Sequence, residues 1–336
     1  MKCQTQCILW DYLCVRMAPC IPPCNHSLPT AFPRYVAGMP VGRCLATGSF
    51  GSVFGLVRQE EQQGESPEFD QVVKIVEKSK VRPIRGLKRL KKMVDVLKCI
   101  SSERWQHPNL IKFLDISHSE GHLVLRLEYG GPITLHDRLK LRQHEGVELP
   151  LEKGCSIIKQ ACMAVTHLHV GPGICHRDLR SENFLVTETL HSLHLKLTEF
   201  DVSILLGKHQ QCYGFCGTMP FAAPEVVLSR EYDGRAADVW SLGIFLFDVL
   251  CGVRVWQRAL NLTKLPEVQM ARCIATKFSA HDAVDTIMGH IMSELAPLQS
   301  KGQKLAQGML NVDPLRRWKA QELMPAVVRM TSGPII

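Results

Sequence analysis

From Tyr35 onward the chain alternates apolar and polar positions and is rich in β-branched residues. "RCLATGSFGSVFGLV" (43–57) reads as two strands around a glycine-bearing turn, and "FDQVVKIVEK" (69–78) as a third strand. The polar, breaker-rich "RQEEQQGESPE" (58–68) between them predicts a hairpin loop. In "GLKRLKKMVDVLKCI" (86–100) the period lengthens, with Leu87, Leu90, Val94, Leu97, Cys99 and Ile100 near helical spacing. "HLVLRLEY" (122–129) returns to a strand, and "GGP" (130–132) breaks it like a hinge.

Beyond that break helices dominate. "EKGCSIIKQACMAVTHLHV" (152–170) is amphipathic, and "DVWSLGIFLFDVLCGV" (238–253) is apolar nearly all round. Helical segments continue to about Met330, and no segment repeats another. The order predicts an α+β molecule of two lobes: a small β-rich N-lobe over 41–129 and a larger helical C-lobe over 133–330.

Residues 1–40 are rich in Cys and Pro, which predicts a loosely ordered extension; 331–336 form a tail. Cys20, Cys24 and His26 have metal-like spacing, yet no second ligand pair stands at finger-like distance. Asp11 and Arg16 interrupt the first apolar stretch, which argues against an export signal. The 14 cysteines are then expected to stay reduced, in an intracellular, cytoplasmic protein.

Composition narrows the function classes. Apolar content of 46% and charged content of 21% fit a soluble globular protein, and no apolar run reaches the roughly 18 residues of a membrane span. The net charge of +8 favours acidic partners only weakly, and nothing resembles a nucleic-acid-binding module. The basic run "KSKVRPIRGLKRLKK" (78–92) holds no acidic residue. It reads as a solvated helix face or as a docking surface for an acidic or phosphorylated partner.

The chemistry lies in motifs whose order matters more than any one of them. "LATGSFGSV" (45–53) is followed by Lys74 inside the apolar strand "QVVKIV", then by "HRDLRSEN" (176–183) and "LTEFDVS" (197–203). "CGTMPFAAPEV" (216–226), "DVWSLG" (238–243) and "LNVDPLRRW" (310–318) complete the series. With these motifs, residues from about 41 to 330 resemble a eukaryotic-type protein kinase domain of the serine/threonine kind.

The resemblance implies a transferase that moves the γ-phosphate of Mg-ATP to a protein Ser or Thr hydroxyl. Asp178 would be the catalytic base, Lys74 would reach the nucleotide phosphates, and Arg180 would bring positive charge to the transferring group. Asn183 and Glu199 would hold Mg²⁺. The nucleotide would lie among Leu45, Gly48, Phe50, Gly51, Val53, Leu127, Glu128, Gly130 and Leu185, with the adenine under Val53 and against the hinge backbone. Arg177 stands where the family often receives an activation-loop phosphate, but Tyr213 offers the one hydroxyl in "LLGKHQQCYGFCG" before Thr218. Glu225 and Arg317 stand where the family places a buried pair, and Asp238 where it anchors the catalytic loop.

Three departures leave a second reading open. Ala46 replaces the first loop glycine, and Met93 stands where the family has a helix glutamate to pair with Lys74. Asp95 lies roughly 200° round the helix from that position. Glu199-Phe200-Asp201 replaces Asp-Phe-Gly, so the metal carboxylate is longer by one methylene, on the order of 1 Å. A pseudokinase that scaffolds or regulates a partner is the alternative to a divergent enzyme. Cys212 and Cys216, which flank the loop, are candidates for redox sensitivity.

Overall fold

The strand around Lys74 has two unlike faces, and that difference builds the upper part of the molecule. Val73 and Ile75 pack with Phe54, Leu56 and Val124 on one side of the sheet. Val72 packs on the other with Leu45, Ala46, Val53 and Phe69, and Lys74 shares that second face because side chains repeat every two residues.

The computed structural model describes residues 34–47, 51–57, 69–81, 84–118, 121–189, 192–207, 211–291 and 297–332. The expected hairpin loop at 58–68, the turn holding Gly48 and Phe50, and Cys20, Cys24 and His26 lie outside the described residues.

Strands β1 (Tyr35–Val36), β2 (Met39–Thr47), β3 (Gly51–Val57), β4 (Phe69–Glu77), β5 (Phe113–His118) and β6 (His122–Glu128) form one curled antiparallel sheet in the order β1-β2-β3-β4-β6-β5. Register pairs Val53 with Lys74 and Lys74 with Leu125. Gly51 is fixed by this sheet, since a Cβ there would lie 1.6 Å from the Ile75 carbonyl oxygen.

Helix α1 (Ile84–Ile100) packs beside the sheet. Met93, Val94, Val96, Leu97 and Ile100 are buried, while Lys88, Lys91, Lys92, Asp95 and Lys98 are exposed. Leu87, expected on the apolar face, is 54% exposed. Leu90 is partly buried against the core, and full burial among the described side chains of the helix begins at Met93, so the helix docks mainly through its C-terminal half.

Past Gly130-Gly131-Pro132 the fold is mainly helical. Gly131 has φ +135°, and a Cβ would meet the Val186 carbonyl oxygen at 2.4 Å, so the crossing needs glycine. Helices α2 (Leu135–Glu145) and α3 (Leu151–Val170) bracket a small sheet of β7 (Ile133–Thr134), β9 (Phe184–Glu188) and β10 (Leu193–Leu197). The pair β8 (Ile174–Cys175) and β11 (Ile204–Leu205) frames the loop that carries "HRDLRSEN".

A second pair, β12 (Cys212–Tyr213) with β13 (Glu231–Tyr232), clamps the segment around α4 (Pro224–Leu228). Helix α5 (Gly234–Cys251) is capped by the Asp233 carboxylate on the Arg235 and Ala236 amides. It is buried without a break from Ala237 to Leu250, Asp238 and Asp248 included. Helices α6 (Val255–Ala259) and α9 (Pro297–Met309) pack against it, α7 (Glu267–Lys277) lies on α4, α8 (Ala283–Ile291) on α6 and α9, and α10 (Ala320–Ser332) on α3 and α9. Among the described residues no helix is long and apolar enough to cross a membrane.

Candidate active site

A cleft between the curled sheet and the helical lobe gathers most of the residues singled out in the sequence. Leu45, Val53, Lys74, Leu127, Glu128, Gly130, Leu185 and Glu199 all line it, joined by Val72, Ile111, Tyr129 and Thr198. Gly51 sits in β3 and is not part of that lining. Ala46 is 6% exposed and packs with Val53, so its methyl group is absorbed by the apolar face of the sheet.

Below the cleft, Asp238 holds the catalytic loop by its backbone. Its Oδ2 accepts from the His176 amide at 2.8 Å and its Oδ1 from the Arg177 amide at 2.7 Å. His169 Nε2 lies 2.9 Å from the same carboxylate. Those bonds hold Arg177 at φ +68°, a left-handed conformation that costs on the order of 1–3 kcal/mol for a residue with a Cβ. The loop then turns so that Asp178 faces the segment that carries Thr218.

There Asp178 Oδ1 accepts from Thr218 Oγ1 at 2.9 Å, and Asn183 Nδ2 donates to Asp178 Oδ2 at 3.1 Å and to its backbone oxygen at 2.7 Å. Arg180 Nη1 donates to Thr218 at 2.9 Å. Arg180 also forks onto Glu182, with Nε 3.0 Å from Oε2 and Nη2 2.8 Å from Oε1. Burial alone would raise the Glu182 carboxyl, but Arg180 and His136 outweigh it and hold it down at about 2. Sequence reading assigned Arg180 to the phosphoryl group and did not see this acidic partner, whose signal was Glu182 two positions along in the same motif.

The carboxylate expected to meet the metal, Glu199, is held with similar strain. Glu199 lies between β10 and β11 at φ +65°, and the next residue, Phe200, is 2% exposed and set edge-on to His176 at 5.0 Å. Burial pushes the Glu199 carboxyl well above its usual range; Lys74 opposes the shift, and Asp201 and Asp178 add to it.

Glu199 Oε2 is buried without a hydrogen-bond partner. Asn183 spends its amide nitrogen on Asp178, so a cation would have to be met by its carbonyl oxygen. A buried carboxylate oxygen without a hydrogen-bond partner and an amide oxygen are hard-oxygen donors of the kind that suit Mg²⁺ completed by water and phosphate oxygens.

Lys74 is 8% exposed, and its Nζ lies 3.0 Å from Asp201 Oδ1 and 3.8 Å from Glu199 Oε2. Met93 sits in the apolar core at 3% exposure, while Asp95 and Glu103 are exposed. The Lys74–Asp201 contact was not foreseen, because the motif expects glycine at position 201. An acidic residue gained there in a chain that lacks one at 93 was the available signal.

The remaining candidates separate. Arg177 Nε and Nη2 lie 2.9 and 2.6 Å from Cys216 Sγ, and Tyr232 Oη is 3.4 Å from the same sulfur. Cys212 is buried in the β12–β13 pair, so the two loop cysteines serve different surroundings. Burial pushes the Cys212 thiol up to about 11. Tyr213 is 65% exposed. Arg317 and Glu225 meet at 2.6 Å.

Comparison with known proteins is consistent with this geometry. The protein kinase domain family matches residues 40–327. CBL-interacting protein kinase 1 of Oryza sativa subsp. japonica is 30% identical over 219 residues, 63% of this chain and 42% of that protein. Calcium-dependent protein kinase 20 of the same plant is 27% identical over 294 residues, 87% and 46% of the two chains. A probable myosin light chain kinase of Dictyostelium discoideum is 29% identical over 221 residues, 65% and 56%. The chain spans about half the length of the relatives it matches.

Proposed function

The chain belongs to the protein kinase domain family, and from that premise we propose that it is an ATP-dependent serine/threonine kinase with Asp178 as catalytic base. One observation carries the reading: Asp178 is already hydrogen-bonded to a hydroxyl, Thr218 Oγ1 at 2.9 Å, with the cation Arg180 on the same oxygen. That constellation accepts a hydroxyl beside a positive charge, which is what phosphoryl transfer to a side-chain alcohol requires.

In this reaction Asp178 accepts the proton of the substrate Ser or Thr as its oxygen bonds to the γ-phosphorus. The bond from phosphorus to the bridging oxygen breaks and ADP leaves with that electron pair. Lys74 orients the phosphates from above, and the apolar walls at Val53, Leu127 and Leu185 hold the base and exclude water. Asn183 and Glu199 would hold Mg²⁺, which when bound neutralises charge on the phosphate oxygens.

The substrate is a protein presenting a Ser or Thr. The exposed lysines of α1 would serve, in this reading, as a docking surface for an acidic or phosphorylated partner. The protein would act in an intracellular setting, where thiols such as the free cysteines among the described residues stay reduced.

The binding-module reading keeps one specific support. Arg180 is engaged by Glu182 and Thr218 rather than open to the cleft. The test is phosphate transfer from ATP by the natural protein beside Asp178→Asn, with and without Mg²⁺. Transfer that requires both Asp178 and the metal supports the enzyme; equal signal from both proteins supports the binding module.

A further inference from the structure

A kinase lysine in a strand needs a fixed counter-charge, because an ammonium on a long flexible stem has many rotamers and few of them reach the phosphates. Helix α1 does not supply it. Met93 occupies the facing position inside the same apolar cluster as Leu97 and Phe200, and Asp95 and Glu103 point to solvent.

Two carboxylates instead come from the segment below. Glu199 lies 3.8 Å from Lys74 Nζ, while Asp201 Oδ1 accepts a hydrogen bond from it at 3.0 Å. Both members of the closer pair are nearly out of solvent, at 10% and 12% side-chain exposure. The same residue is tied to the helix through its backbone: Arg89 Nε, one turn before Met93, donates to the Asp201 carbonyl oxygen at 2.9 Å. A glycine at 201 could make the second of these bonds but not the first.

We propose that Asp201 is the positioning residue for Lys74, replacing the missing helix carboxylate from the opposite wall of the cleft, with Arg89 locking α1 onto it. This rests on the kinase reading for its purpose, not for its geometry. It frees Glu199 for the metal while Lys74 keeps a partner of its own. It also makes the lysine's placement depend on the Glu199-Phe200-Asp201 segment rather than on the orientation of α1.

The experiment separates phosphate positioning from general structure. Affinities for ATP and for adenosine, which lacks phosphates, are measured on the natural protein, Asp201→Asn, Asp201→Glu and Lys74→Met, and on the Lys74→Met/Asp201→Asn pair. Asp201→Asn should weaken ATP by roughly 10-fold or more, since hydrogen bonds to charged groups are of that size, and leave adenosine unchanged. Asp201→Glu should retain most of the ATP affinity, and the double variant should be no worse than Lys74→Met alone.

Parallel losses for both ligands would mean a merely structural role and would overturn the proposal. So would an unchanged ATP affinity in Asp201→Asn, additive losses in the double variant, or a natural protein that does not prefer ATP to adenosine. Preference for ATP that is lost with Asp201, in a protein that transfers no phosphate, would retire the enzyme reading and leave the positioning role standing.

Discussion

Arg317 drives its guanidinium between the carboxylate of Glu225 and the ring of Trp240, with Nη1 2.6 Å from Glu225 Oε1 and Cζ 5.0 Å from the ring centroid. It also donates to the carbonyl oxygens of Ala236 at 2.8 Å and Asn311 at 2.9 Å, so one fully buried side chain ties α4, α5 and the segment before α10 together. Removing either partner strands a buried charge. Arg317→Ala or Glu225→Ala should therefore destabilise the chain by roughly 3–5 kcal/mol in chemical denaturation. A normal unfolding midpoint in both variants would mean that the pair is dispensable.

The Arg177–Cys216 contact leads to a prediction about the loop that precedes the substrate platform. A thiol is a weak acceptor for a partly buried guanidinium, yet both Nε and Nη2 point at Cys216 Sγ. Cys216→Ala should loosen this segment, and amide exchange over residues 211–218 should quicken while the global midpoint moves less. Cys216→Asp should slow exchange below the natural rate by giving Arg177 a charge-assisted partner. Identical exchange in all three proteins would show that the contact does not hold the loop.

Asp248 makes a pH-dependent contribution whose sign is set by its burial in α5. Loss of hydration, with Glu182 adding to it, raises this carboxyl to about 7, against bonds from the Arg254 amide and Ser181 Oγ that favour the charged form. The folded chain thus keeps a proton that the unfolded chain releases near 3.8. Its contribution is fully present below that lower value and is lost as pH rises through about 7. Asp248→Asn keeps one oxygen acceptor, for the Arg254 amide, can turn its amide nitrogen as a donor to Ser181 Oγ, and no longer titrates. Urea midpoints measured from pH 4 to pH 8 should fall for the natural protein and stay flatter for the variant. Parallel curves would place the titration elsewhere.

How legible this was in the sequence depended on how local each relationship is. Asp178 and Asn183 lie in one motif, and the loop between them brings their side chains together. The strands around Lys74 announced themselves by alternation, and α5 by an apolar run that only burial on all sides explains. Glu225 and Arg317 are 92 residues apart, and only the order of motifs suggested their meeting. Besides Glu182 beside Arg180, three things escaped. Strands β1 and β5 are short and half exposed, so they lack a period. Leu87 follows the helical period but extends past the surface that buries it. Asp201 reaches Lys74 across 127 residues, and the family pattern hid it by expecting a residue with no side chain.

Glu199 decides whether the departures in this chain are tolerated or disabling. Its backbone is held at φ +65°, a region that aspartate enters more easily than glutamate, and its Oε2 is buried with no hydrogen bond. Glu199→Asp should relieve that strain and draw the metal back by about 1 Å, a displacement on which phosphoryl transfer depends steeply. Turnover with Mg-ATP should rise by roughly 10-fold to 100-fold if metal placement limits the reaction. Met93→Glu offers Lys74 a second counter-charge, and with Asp201 already 3.0 Å from Lys74 its added effect should be small. Glu199→Ala removes the carboxylate and should abolish metal-dependent transfer while leaving adenosine binding intact. The deciding comparison is the natural protein against Glu199→Ala at saturating Mg-ATP, with Asp178→Asn as the background. A natural protein no better than these two would show that the carboxylate does not serve chemistry, and the cleft would then be a binding site that has kept the shape of a catalytic one.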